Sequence, residues 1–139
     1  MAGSIAMIPN FDDNDYLPPG IHLATLDEIG HRFGKESEIR RAQIQSLGWL
    51  VQCARQAGVS RIIVNGSFVA DVYEPNDVDC ALLLPPDYPK DPAADKELQE
   101  GFPFIQALLL LQEEFDYYVS TIYATDRRGV SKGMVEIEL

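Results

Sequence analysis

Cysteine and basic side chains are scarce in this 139-residue chain, and each scarcity excludes something. The two cysteines, Cys53 and Cys80, sit in apolar contexts and lack metal-ligand spacing. That excludes a disulfide framework and a cysteine zinc site, and fits buried free thiols in a reducing compartment. Lysine and arginine total 11 against 22 aspartates and glutamates, a formal net charge of −11. A domain that holds nucleic acid on its own surface needs clustered cations, so no strong direct nucleic-acid surface is expected. The pairs Arg40-Arg41 and Arg127-Arg128 are short and read as solvated helix or turn charges. The longest apolar run, Ala107 to Leu111, is too short to cross a bilayer. Met1 to Pro9 is mildly apolar but lacks the basic stretch and long apolar core of a secretion signal. The expectation is a cytoplasmic protein with no membrane partner.

What is present is enough for one core. The length favours a single domain, and 46% hydrophobic residues are ordinary for a globular fold. Residues 1–20 show little periodicity and read as an extended N-terminal arm, with 21–139 as the domain. The acidic stretch Asn10 to Asp15 lacks the glycine and closing glutamate of a calcium loop. Pro18-Pro19-Gly20 is a stiff turn. Thr25 with Glu28 forms a capping box ahead of a helix carrying Leu26, Ile29 and Phe33, stopped at Gly34. A longer helix is expected from Ser37 to Ala57, with Ile44, Leu47, Val51 and Ala54 as its stripe and Gly58 as its end.

Strands are expected at Arg61 to Val64, Asp77 to Leu84, Tyr117 to Tyr123 and Met134 to Leu139. Between them, Pro85 to Pro92 reads as surface loop. A third helix falls within Ala93 to Glu114, interrupted near Gly101-Phe102-Pro103. Helices interleaved with few strands predict an α/β or α+β fold: a small mixed sheet with flanking helices.

The chemistry concentrates in Ile62 to Val69 and in Pro75 to Cys80. Side chains two apart on a strand share a face, so Asp77 and Asp79 should project together. Close carboxylates repel unless a cation sits between them. Hard divalent ions such as Mg²⁺ or Mn²⁺ take such ligands and bridge to phosphates. Gly66 lets backbone approach a ligand closely, and Ser67 with nearby N–H groups can hold phosphate oxygens. A phosphate-holding loop beside a metal-holding strand edge is what phosphoryl or nucleotidyl transfer needs most.

This arrangement, an apolar strand, Gly66-Ser67, a spacer of about ten residues and Asp77-x-Asp79, resembles the DNA-polymerase-β-like nucleotidyltransferase superfamily. The resemblance implies phosphate contacts at Gly66 and Ser67 and metal ligation by Asp77 and Asp79. Leu17 to His22, Ala24-Thr25, Arg32 to Gly34, Gly66 to Val69 and Lys132-Gly133 also resemble an uncharacterised group of small bacterial nucleotidyltransferase-like proteins. That likeness implies fold and motif, not substrate. Active members of the superfamily carry a third carboxylate on a neighbouring strand. Here the expected strand Tyr117 to Tyr123 has Ser120 and Thr121 at its middle. Asp116 at its start is the candidate catalytic acid, with Glu136 and Glu138 as further candidates. Lys132 is a candidate phosphate contact, and His22 a candidate visitor from its proline-gated loop.

Two functions follow. One is a metal-dependent enzyme moving NMP from an NTP to a protein, RNA or small molecule. The other is a catalytically degenerate binding module, an antitoxin or partner in a toxin–antitoxin or phage-defence pair. The acidic charge would suit a basic protein partner encoded nearby.

Overall fold

The computed structural model describes residues 8–139; residues 1–7, with most of the Met1 to Pro9 stretch, lie outside the described residues. The described residues form five strands and four α-helices. The chain opens with β1 (Gly20–Ala24), α1 (Leu26–Phe33) and α2 (Glu38–Ala57). The sheet core and its covering elements follow as β2 (Arg61–Asn65), β3 (Val78–Leu83), α3 (Pro92–Glu100), β4 (Ile105–Leu110), α4 (Gln112–Tyr117) and β5 (Gly133–Ile137). The sheet order is β1-β5-β2-β3-β4. Its outer pairs, β1 with β5 and β3 with β4, are parallel, while β2 runs antiparallel to both of its neighbours. This is the expected α+β fold with a mixed sheet.

Both early helices start and stop where their end residues dictate. Thr25 Oγ1 accepts from the Glu28 amide at 3.1 Å while the Thr25 amide donates to Glu28 Oε1 at 2.9 Å, a complete capping box. Ser37 caps α2, and Gly58 closes it in the left-handed region. The two faces of the sheet have different covers. Ile62, Val64, Val78, Cys80 and Leu82 pack in the main core with Leu47, Leu50, Val51 and Leu98 of α2 and α3. On the other face, Ile63, Ala81, Leu83 and Met134 lie under Phe115 and Tyr123. The segment from Ile8 to Pro19 has no regular element, yet Ile8 and Leu17 are buried in the main core.

Three expectations are corrected. Tyr117 to Tyr123 is not a strand: Tyr117 ends α4 and a π-helical turn, Tyr118–Ile122, continues it. Local bonds such as Tyr123 N–H to Tyr118 O at 2.8 Å satisfy its backbone, overriding the β-branched composition that reads as strand. The strand instead lies at Ile105–Leu110, within the stretch expected to be helical. Helix α3 ends at Glu100 and no α-helix resumes before Gln112; an apolar run such as Ala107 to Leu111 carries no period that separates strand from buried helix. β1 is a strand that the sequence did not reveal.

Arg40 is the third correction. It is 2% exposed, not solvated. Its guanidinium donates to the carbonyls of Phe33, Ser67, Phe68, Ala70 and Val72 at 2.6–3.3 Å. Five N–H donors in a planar fork match a ring of carbonyls from the end of α1 and the loop after Ser67. Arg40 therefore fixes the loop that follows Ser67. Gln43, also buried, donates to Pro75 O at 2.6 Å and holds the approach to Asp77. Arg40→Met should destabilise the fold by about 3 kcal/mol or more, because several buried carbonyls lose their donors. Arg40→Lys should recover less than half of that, since an ammonium offers fewer donors on a different geometry. Urea denaturation of the three proteins checks both; equal stability of Arg40→Met and the parent would contradict the clamp.

Candidate functional site

The β2–β3 pairing places the two halves of the motif together. Antiparallel register runs from Arg61↔Leu83 to Asn65↔Asp79. Asn65 and Asp79 thus face each other across the strands, on the side shared with Ile63 and Ala81. Gly66 follows at φ +82°, and a Cβ there would lie 2.4 Å from Asp79 Oδ2. Only glycine fits, both for the backbone angle and for the carboxylate pressed against it. Ser67 then opens a 3₁₀ turn, Ser67–Val69, whose carbonyls Arg40 holds.

Asp77 stands just before β3, one period from Asp79. Gln106 of β4 pairs in register with Asp79, and its Nε2 donates to Asp77 Oδ2 at 3.2 Å. The register begins at Phe104, whose carbonyl accepts from the Val78 amide at 2.7 Å and whose φ is +65°. A phenylalanine in the left-handed region is strained, and here it sets the strand that brings Gln106 to the aspartates. Burial pushes the Asp79 carboxyl above its usual range, Asp77 adds like-charge repulsion, and Lys132 partly offsets both. Burial lowers the Lys132 ammonium, with Asp79 and Asp126 opposing. Tyr123 lies against this end of the sheet; burial first, then Cys80 and Asp79, raise its hydroxyl.

Gly66, Ser67, Asp77, Asp79 and Lys132 are therefore brought together. Asp116 is not. It lies exposed on α4, accepts from Gln112 Nε2 at 2.9 Å and adds to the field at Arg61, the far end of β2. Glu136 is held by Arg61 at 3.0 and 2.7 Å, and Glu138 is exposed beyond β5. The place beside Asp79 on the neighbouring strand belongs to Gln106. His22 sits on β1 with Nε2 2.7 Å from Pro18 O, in register with Val135 and so on the opposite face from Asp79. Sequence reasoning also missed Asn65 as a site residue. It is 4% exposed, and its Oδ1 has no hydrogen-bond partner among the described residues. Its position immediately before Gly66 was the available signal; for Gln106 it was the alternation Gln106, Leu108, Leu110 on one face of β4.

Among the described residues no group of three His, Cys, Asp or Glu stands close enough to hold a metal ion. The donor set still fits one hard cation. Mg²⁺ is commonly held by one or two carboxylates together with water and phosphate oxygens. Asp77 and Asp79 would supply the carboxylates, and the unpartnered Asn65 Oδ1 lies beside them as a further polar atom.

The chain belongs to a family described as "Family of unknown function (DUF6932)", whose sequence profile matches residues 9–138. No curated protein and no solved structure matches it.

The Asp79 environment makes a signed prediction for the metal-free protein. Its folded pKa is raised, so ionisation costs stability, and the cost is present above the folded pKa and disappears as pH falls through it. Asp79→Asn should therefore melt higher than the parent at neutral pH. The difference should shrink as the pH drops into the carboxylate range. Thermal melts of both proteins across that range check it; a variant less stable at neutral pH would contradict the assigned strain.

Proposed function

We propose that this chain is a nucleotidyltransferase-like binding module that takes a divalent-metal-bound nucleoside triphosphate but has lost the machinery for efficient transfer. The observation that carries the reading is the Asp79↔Gln106 register. Gln106 fills the neighbouring-strand place where a third carboxylate would be expected, and an amide neither adds negative charge for a second metal nor takes a proton from an attacking hydroxyl.

What favours retained binding is the rest of the set. Gly66 has no space for a side chain, Asp77 and Asp79 converge, and Arg40 and Gln43 fix the loops on both sides. Such positioning is where this chemistry begins. One divalent ion on Asp77 and Asp79 would neutralise phosphate charge, while Gly66 and Ser67 would lie along the phosphates. The chain would then serve as partner or antitoxin to another protein. Its net charge of −11 suits a basic partner. Cys53 and Cys80, free and buried, suit a reducing cytoplasm. No helix among the described residues is long and apolar enough to cross a membrane.

An active enzyme moving NMP to a protein, RNA or small molecule is the second reading, favoured by the intact Gly66-Ser67 and Asp77-x-Asp79. Binding and labelled transfer separate the two. Mg²⁺ with ATP at roughly a hundredfold excess over Kd should stabilise the fold by about 2.7 kcal/mol. That corresponds to a Tm rise of about 9 °C for a chain of this size. Asp77→Asn should abolish most of the rise. Transfer of labelled NMP by the parent, alone or with the product of the neighbouring gene, should be undetectable. Detected transfer would establish the enzyme instead, and an unchanged Tm would remove the nucleotide from both readings.

A further inference from the structure

Lys132 stands where the sheet turns from structural to chemical. β5 pairs with β2 at Ile63↔Glu136 and Val64↔Val135. This pairing leaves the end of β2 at Asn65 and the start of β5 at Gly133 at the same end of the sheet, with Lys132 the residue just before β5. Strand alternation puts Lys132 on the face of Met134 and Glu136, which is the face of Asn65 and Asp79. The backbone is pinned there. The Lys132 amide donates to Ala124 O and the Gly133 amide to Leu17 O, both at 2.9 Å. A Cβ at Gly133 would meet Pro18 O at 2.1 Å, so the chain passes this point in only one way.

The charges around Lys132 single out one partner. Its ammonium feels Asp79 and Asp126. Asp126 is already engaged by the Tyr16 hydroxyl at 2.7 Å, the Arg128 guanidinium at 3.1 Å and the amides of Arg128 and Val130. Asp79 is not so engaged, and no direct ion pair joins it to Lys132 among the described residues. Beside them lies the unpartnered, buried Asn65 Oδ1. Two carboxylates and one ammonium leave a single formal negative charge. One divalent cation reverses it and makes the site attractive to phosphate. A second divalent cation would have too few carboxylates to hold it.

We propose that Lys132 is a fixed cation of the site, contacting phosphate in place of a second metal ion, so that the module takes one divalent ion per nucleotide. This rests on the nucleotide-binding reading above and specifies its stoichiometry and its phosphate contact. It has a property that a packing role for Lys132 lacks. Lys132 competes with metal for Asp79 when nucleotide is absent and cooperates with metal when nucleotide is present.

The test uses the full chain, Mn²⁺ followed by electron paramagnetic resonance, and α,β-methylene-ATP as a nucleotide that cannot transfer NMP. The parent should bind one Mn²⁺ per chain with the analogue. Lys132→Met should weaken the analogue by about tenfold or more, the loss expected for a charge-assisted contact. The same variant should bind Mn²⁺ alone more tightly than the parent, and Lys132→Arg should keep most of the analogue affinity. The opposed directions also show that the variant is folded, and Lys132→Gln repeats the test with a polar side chain. Two Mn²⁺ per chain, or analogue affinity unchanged in Lys132→Met and Lys132→Gln, would overturn the role of Lys132 while leaving the nucleotide site intact. Loss of both analogue and Mn²⁺ affinity in the two variants would make Lys132 structural. Failure of the parent to bind the analogue at all would overturn the nucleotide reading itself.

Discussion

The contact between the Asp79 carboxylate and the Gly66 backbone is the constraint on which the rest of the site depends. A half-buried carboxylate pushed against a turn is unfavourable in two ways. It loses water, and it stands near a second carboxylate at Asp77. The fold tolerates the arrangement because the antiparallel ladder of β2 and β3 leaves Asp79 no other place once Asn65 is its partner. Every other site residue is defined by its relation to that contact. Gln106 is its parallel neighbour, Lys132 its counter-charge and Ser67 the next residue of the turn.

Holding such a turn needs support from outside the sheet, and α2 gives it. Arg40 reaches from the first turn of the helix to four carbonyls of the Ser67 to Val72 segment, and to Phe33 at the end of α1. One turn further along, Gln43 takes Pro75 O. Two side chains from one helix thus fix the loop between β2 and β3 near both its ends. Among the described residues the buried guanidinium has no carboxylate in ion-pair range, and its charge is spread into carbonyl dipoles. The arrangement fixes the loop without any ligand, and for the proposed ligand it would lower the ordering cost of binding.

The legible parts of the chain were those set by local chemistry. Thr25 with Glu28, Ser37 and Gly58 mark their helix ends through single hydrogen bonds or a single backbone angle, and these read directly from residue type. Asp77 and Asp79 share a face because a strand alternates, whatever packs on it. The illegible parts were set by long-range pairing. Whether Ile105 to Leu110 is strand or helix depends on β3 lying beside it, and Gln106 gains meaning only through that register. Tyr117 to Ile122 has strand-like composition but no strand partner, and it folds locally over Ile63 and Ala81 instead. The same error removed Asp116 from the site: with its segment helical, its side chain falls toward Arg61 rather than Asp79.

The proposed metal–phosphate site joins Asp77, Asp79 and the Gly66-Ser67 turn. Paramagnetic broadening of amide resonances by substoichiometric Mn²⁺ tests it without assuming any activity. Broadening is expected to begin at Asn65 to Ser67, Asp77 to Asp79 and Gln106, and ATP to sharpen this preference. Broadening that begins instead at the exposed acidic positions Asp13 and Asp15, or that spreads evenly over the acidic surface, would contradict it.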